Sequence, residues 1–151
     1  MHMDKKIQHT LNDLIEIARD GSDFYTEAAG KVGNPELAAL FQKMAGHKRD
    51  IVSGLTADVA AAGGDPADHG TMVGSVRQVY AKARAAMGDT DYAYVAELEE
   101  LEDRLLDAFK DTVDDADTPP QARAAAQKYL PRVIECHDIM RSRKMALKKA
   151  G

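Results

Sequence analysis

Residues 28–41 read AAGKVGNPELAALF, and this boundary between two helices decides the fold of the chain. Gly33 ends one helical pattern, and the Asn34 side chain can accept hydrogen bonds from the first free N–H groups of the next helix. Pro35 suits the first helical position because its missing N–H costs nothing there. A connection this short forces the flanking helices to run antiparallel. The sequence therefore predicts a helical hairpin in the first half of the chain.

Apolar residues recur along most of the chain at alternating steps of three and four, which is the spacing of one face of an α-helix. Glycine, proline and capping residues divide this pattern into segments. No segment shows the alternation that is typical of a strand. The predicted helices are, in order, roughly residues 4–32, 34–62, a shorter one at 71–87, 89–115, and 119 to the C-terminus.

The order of these helices predicts an all-α fold, a ferritin-like four-helix bundle with a helical crossover between its two helix pairs. The last two long helices are also joined by a tight turn, so they form a second antiparallel pair. The crossover is residues 63–88, whose short helix is long enough to span most of a bundle. An up-down-up-down bundle with a fifth helix packed outside is the alternative. We expect one domain over residues 1–151, in which residues 1–3 are a disordered or cloning remnant.

Composition narrows the class of protein. Apolar residues make up 44% of the chain and charged residues 30%, which suits a globular surface and core. The net charge of −5 argues against nucleic acid and anionic membrane surfaces as partners. Cys136 is the single cysteine, so no intramolecular disulfide can form, and no run reaches transmembrane length. A cytoplasmic, bacterial-type protein is the expectation.

Four polar residues interrupt the apolar faces, one on each long helix: Tyr25, Lys48, Glu102 and His137. Counting from the helix starts places Lys48 and Glu102 near mid-helix, with Tyr25 and His137 within about 10 Å of that level at 1.5 Å per residue. A buried charge needs a partner. We therefore expect a buried polar network in which Lys48 pairs with Glu102 while His137 and the Tyr25 hydroxyl contact the carboxylate.

A metal site is the second interpretation of these residues. Its candidate ligands are His47, Glu99, Glu102 and His137, and iron, manganese or zinc would be the candidate ion. Ferritin-like di-iron sites need a carboxylate from each of two helices and a Glu-x-x-His from each of the other two.

The sequence departs from that di-iron pattern. Met44 and Ile134 stand three residues before the two histidines, so neither Glu-x-x-His exists. Lys48 is a cation that would repel a metal ion at the same level. The structural network is therefore the favoured interpretation, and a mononuclear site is the alternative.

The order and spacing of several short segments along the chain form a recognisable pattern. These segments are Leu11-Asn12-Asp13-Leu14-Ile15-Glu16, Asp20-Gly21, Tyr25, Ala28-Ala29, Leu37 to Phe41, Gly63-Gly64, Glu99-x-x-Glu102-Asp103 and His137. In this pattern the chain resembles, over nearly its whole length, an uncharacterised bacterial family of ferritin-like four-helix-bundle proteins. The resemblance implies the fold and implies that the family uses Glu102, Asp103 and His137, but it supplies no activity.

The functional expectation is a helical-bundle protein of uncharacterised activity, related to metal or stress physiology by analogy with its fold. A non-catalytic binding or assembly module without metal is the alternative, and metal content after purification would discriminate between them. No catalytic residue or enzymatic reaction is predicted. Tyr92 and Tyr94 are expected to be exposed, which hints at a packing surface without defining one. A homo-oligomer is a separate expectation, and no particular partner is predicted.

Overall fold

A computed structural model describes residues 4–71 and 90–150, and all regular structure in these residues is α-helical. This confirms the all-α prediction and places the long helices within a few residues of their expected bounds. The short helix predicted at 71–87 and most of the predicted crossover lie outside the described residues. The helices are α1 (Lys5–Ala29), α2 (Pro35–Ala61), α3 (Thr90–Asp114) and α4 (Pro120–Ala150).

Side chains hold the turn between α1 and α2 where α2 begins. Asn34 caps α2, as predicted, since its Oδ1 accepts hydrogen bonds from the N–H groups of Glu36 at 2.8 Å and Leu37 at 3.2 Å. The Asp91 carboxylate accepts hydrogen bonds from the N–H groups of Gly33 at 3.0 Å and Asn34 at 3.1 Å. The start of α3 therefore lies beside the turn that begins α2.

The helices form a bundle in which α1 packs mainly on α2, and α3 mainly on α4. The two pairs meet through contacts of α1 with α3 and of α4 with both α1 and α2. The buried apolar residues form two clusters, one on each side of the bundle's middle. The first centres on Leu14, Ile51, Leu105 and Phe109, and the second on Phe24, Phe41, Val95 and Met140.

The segment that follows α2 folds back along α1. Asn12 donates a hydrogen bond from Nδ2 to the Asp65 carbonyl at 2.9 Å and accepts one from the Ala67 N–H at 2.8 Å. The same segment covers Asp20, whose carboxylate accepts hydrogen bonds from the backbone N–H and hydroxyl of Thr71. This covering leaves Asp20 only 2% exposed.

The prediction for Tyr94 was wrong, because this side chain is 1% exposed rather than on the surface. It packs beside Phe24 of α1, with ring centres 6.3 Å apart. The buried face of α3 is wider than a single apolar stripe, because buried residues flank Leu98 on both sides around the helix. Tyr92 is partly buried. None of the helices in the described part of the chain combines the length and apolar character needed to cross a membrane.

Candidate functional site

Three of the four polar seam residues meet in the middle of the bundle, and we call them the central triad: Tyr25, Lys48 and Glu102. The Lys48 ammonium lies 2.8 Å from Oε1 of Glu102, and the Tyr25 hydroxyl donates a 2.6 Å hydrogen bond to Oε2. All three residues are fully buried. Each carboxylate oxygen thus faces a donor, which offsets part of the cost of removing the charges from water.

Gly21 makes room for this triad. A Cβ atom at this position would lie 3.3 Å from Cγ and Cδ of Lys48 and from Cδ2 of Leu101. Because glycine has no side chain, the lysine stem can cross α1 closely and bring its ammonium to Glu102. The group from α2 that approaches Gly21 is the aliphatic part of Lys48.

The triad holds the Tyr25 proton firmly. Burial raises the pKa of Tyr25 well above that of an exposed tyrosine, and the negative charge of Glu102 and its hydrogen bond raise it further. Cys136 borders the triad from α4, and burial raises the pKa of its thiol as well. The thiol is therefore protonated at neutral pH and lacks the depressed pKa of a nucleophilic cysteine.

His137 does not join the triad but turns to two carboxylates elsewhere. Its Nε2 lies 2.5 Å from Oδ1 of Asp103, and its Nδ1 lies 3.1 Å from Oδ1 of Asp138. Burial works against a charge on this ring, but the hydrogen bonds to Asp138 and Asp103 outweigh it and raise the pKa of His137. The two carboxylates therefore fix the orientation of the imidazole from both sides.

Glu99 completes a second polar cluster beside the triad. One ligand atom from each of Glu99, Asp103 and His137 can be chosen so that the three lie within 4.8 Å of one another. We call these residues the carboxylate–histidine group. Glu99 and His137 are buried and Asp103 is partly exposed, so the group lies at the edge of the bundle. The Lys144 ammonium lies 3.2 Å from Oε2 of Glu99.

The donors of the carboxylate–histidine group suit a divalent metal ion. An imidazole nitrogen with carboxylate oxygens is a ligand set for zinc, manganese or ferrous iron. Ligand atoms about 2.1 Å from an ion lie at most about 4.2 Å apart, so the group would have to contract by a few tenths of an ångström at its widest. At the same time, Nε2 of His137 and Oδ1 of Asp103 would have to separate to admit the ion. Asp138 would orient the ring through Nδ1, as carboxylates commonly do behind metal-bound histidines.

The other two predicted metal ligands lie outside this group. Glu102 is engaged by the central triad. His47 on α2 has Nδ1 2.6 Å from Nη1 of Arg132. Burial lowers the pKa of His47, and the neighbouring cations Arg132, Lys48 and Lys43 lower it further. A neutral His47 accepts a hydrogen bond from the guanidinium, which occupies the nitrogen that faces α4.

A polar cleft between α1 and α2 is a separate feature, and it offers no single ligand chemistry. Its charges are mixed, since Arg19 and Arg49 share it with Asp23 and Asp68. Several of these groups already have partners within the chain. Arg19 donates to the Ala67 carbonyl, and the His69 ring contacts Asp68 and Glu16.

Asp138 and Lys144 are members of the second cluster that the sequence interpretation did not include. A signal for Lys144 exists in the spacing. Glu99 and Asp103 are four residues apart on α3, and His137 and Lys144 are seven apart on α4, so each pair shares one helix face. Two such faces meet when the helices pack antiparallel.

A comparison with protein families finds one match. A family model described as a domain of unknown function, DUF2383, matches residues 6–115. The match covers nearly all of α1, α2 and α3, with the central triad, Glu99 and Asp103, and it ends before α4. His137, Asp138 and Lys144 therefore lie outside the matched residues. Neither a search of the curated proteins nor a search of the solved structures finds a match.

Proposed function

This chain belongs to DUF2383, a family described as a domain of unknown function, and we propose that it binds a divalent transition-metal ion through Glu99, Asp103 and His137. The observation that carries the proposal is the convergence of one imidazole nitrogen and two carboxylate oxygens within 4.8 Å. Manganese, ferrous iron and zinc are the candidate ions. We propose a role in metal or stress physiology by analogy with the fold alone.

We further propose the ferritin-like arrangement of the bundle. Two contacts support it. Asp91, at the start of α3, binds the turn at Gly33 that begins α2. Lys48 and Glu102, which pair, lie 13 and 12 residues from the first residues of their helices. Helices α2 and α3 would thus start at the same end and run parallel, so the chain between them would cross the length of the bundle, as in ferritin-like folds.

The proposed site differs from a ferritin-like di-iron centre in its position and composition. At the centre of the bundle Lys48 supplies a positive charge to Glu102, and Tyr25 donates to the second oxygen. A fixed cation there offsets the carboxylate charge that would otherwise attract an ion. We therefore propose a mononuclear site at the carboxylate–histidine group, with the central triad as a structural network.

The test is metal binding by purified, chelator-treated protein, titrated calorimetrically with Mn²⁺, Zn²⁺ and, without oxygen, Fe²⁺. We expect near-stoichiometric binding of at least one of these ions. His137→Ala should weaken it by at least about tenfold, because the loss of even an outer-shell partner of a metal ligand costs 10–100-fold. His9→Ala is the matched control, since the His9 side chain is 79% exposed and lies on α1.

Circular dichroism of each variant separates loss of a ligand from loss of the fold. Absence of binding by both the folded wild-type protein and a folded Lys144→Met variant, which removes the cation at Glu99, would refute the metal site. Equal binding by wild type and folded His137→Ala would also refute it. The protein would then be better described as a binding or assembly module without metal.

A further inference from the structure

We infer that Lys144 stands in the place of the metal ion in the metal-free protein, and that an ion binds by displacing this side chain from Glu99. The inference rests on the proposed function, because it concerns the same ligands. Its direct basis is the 3.2 Å contact between the Lys144 ammonium and Oε2 of Glu99. The proposed ligand is thus already paired with a cation that the chain itself supplies.

The register of α3 and α4 explains why Lys144 reaches this position. Lys144 follows His137 by seven residues, which is close to two helical turns, so both project from one face of α4. Long side chains on a helix lean towards its N-terminus, and this directs Lys144 back towards His137. Glu99 and Asp103, one turn apart on α3, receive the ammonium and the imidazole respectively.

The charge of Glu99 makes a cation necessary there. The Glu99 side chain is 11% exposed, and a carboxylate with so little water needs a counter-charge. Lys144 supplies it while no ion is bound. An ion bound by Glu99 would place a second cation against the ammonium, and like charges at contact distance repel. The Glu99 carboxylate therefore pairs with Lys144 or binds the ion, but not both.

Lys144 is able to leave. Its side chain is 35% exposed, and a lysine has a flexible four-carbon stem whose ammonium is readily hydrated. Departure of Lys144 thus returns a charge to water, while the ion takes over the counter-charge of Glu99. The expected consequence is that Lys144 lowers metal affinity. Only an ion that gains several ligands at this site should bind tightly enough to displace the ammonium from Glu99.

The first measurement compares metal affinity among wild type, Lys144→Met and Lys148→Met. Methionine keeps the length of the stem and removes the charge. We expect Lys144→Met to bind Mn²⁺ or Zn²⁺ about tenfold more tightly, which is the order of effect of one partly solvated like charge. Lys148→Met is the matched control, since Lys148 is exposed one turn further along α4 and should leave the affinity unchanged.

The second measurement detects the displaced side chain directly. Acetylation of lysines by acetic anhydride, followed by mass spectrometry, should modify Lys144 faster when the metal is present. Lys148 should be modified at the same rate with and without metal. This readout does not depend on affinity, and it follows the ion pair itself.

The outcomes separate the two proposals. Binding that requires His137 but is unchanged or weakened in Lys144→Met would overturn the displacement and leave the metal site standing. Unchanged acetylation of Lys144 on binding would do the same. Binding by Lys144→Met but not by wild type would support the displacement in its strongest form. Absence of binding by both folded proteins would overturn the metal site and the displacement together.

Discussion

The Lys48 ammonium lies 2.8 Å from Oε1 of Glu102, and neither side chain has any exposed surface. This pair joins α2 to α3, and the Tyr25 hydroxyl adds α1 through Oε2 of the same carboxylate. One buried charge therefore depends on groups from two other helices. Such a pair need not add net stability, but removing one partner leaves the other charge buried and unpaired.

The first prediction concerns non-additivity at this pair. Glu102→Leu should destabilise the protein by about 3–5 kcal/mol, because Lys48 is then a buried cation without a counter-charge. Lys48→Met should cost a similar amount for the opposite reason. The double variant removes both charges and should recover most of the loss, although Tyr25 loses its acceptor. Denaturant unfolding of the metal-free proteins gives the coupling energy.

A surface pair between α2 and α4 serves as the control. Lys128 Nζ lies 3.4 Å from Oδ1 of Asp58, and both side chains are partly exposed. The cycle of Lys128→Met and Asp58→Asn should give a much smaller coupling, because exposed ion pairs are screened by water. A coupling at Lys48 and Glu102 no larger than that of this surface pair would contradict the central triad.

The second prediction concerns Gly21. Alanine is normally favoured over glycine within a helix by about 1 kcal/mol. At Gly21, however, the added Cβ would lie 3.3 Å from atoms of Lys48 and Leu101, and Lys48 is anchored by Glu102. Gly21→Ala should therefore destabilise the protein by roughly 0.5–2 kcal/mol through overpacking.

Gly46→Ala is the matched control for this substitution. Its added Cβ would meet only Nη2 of Arg49, at an ordinary 3.8 Å, so the helical preference should appear in full. We expect Gly46→Ala to stabilise the protein by about 0.5–1 kcal/mol. Thermal or denaturant unfolding measures both effects, and equal stabilisation by the two substitutions would show that Lys48 is not closely packed at Gly21.

The helices of this protein were predictable because their signals are local. Caps such as Asn34, and the step of three and four between apolar residues, act within one or two turns. Burial at Tyr94 and Asp20 was not predictable in the same way. The first depends on Phe24 of another helix, and the second on Thr71 of a connecting segment. Sequence spacing does not indicate which distant group will cover a residue at the edge of a seam.

The contacts of the candidate site were also only partly predictable from the sequence. Counting residues from the helix starts was enough to bring Lys48 and Glu102 to one level, because rise along a helix is fixed. The partner of His137 depends instead on the rotation of α4 about its axis. Asp103 is only one residue from Glu102 but points about 100° away around the helix. That angle decides between a role in the central triad and a role in a separate group.

The last prediction concerns the pH dependence that Tyr25 confers. Burial and the Glu102 carboxylate raise the pKa of Tyr25 well above its usual range in the folded protein. Below about pH 10, the tyrosine is protonated in both the folded and the unfolded chain, and its hydrogen bond contributes in full. Removing that bond by Tyr25→Phe should cost about 1–3 kcal/mol at pH 7, since Oε2 of Glu102 loses its donor.

Above about pH 10, the unfolded chain releases the Tyr25 proton while the folded protein retains it, so the stabilisation is lost as the pH rises towards the raised folded pKa. The stability difference between wild type and Tyr25→Phe should therefore shrink by about 1 kcal/mol between pH 10 and 11. Tyr129→Phe is the control, because the Tyr129 hydroxyl is only partly buried and lies 3.5 Å from Oδ2 of Asp58. Its stability should follow that of wild type over the same range. Denaturant unfolding from pH 7 to 11 measures all three proteins, and a constant difference between wild type and Tyr25→Phe would mean that Tyr25 ionises as readily when folded as when unfolded.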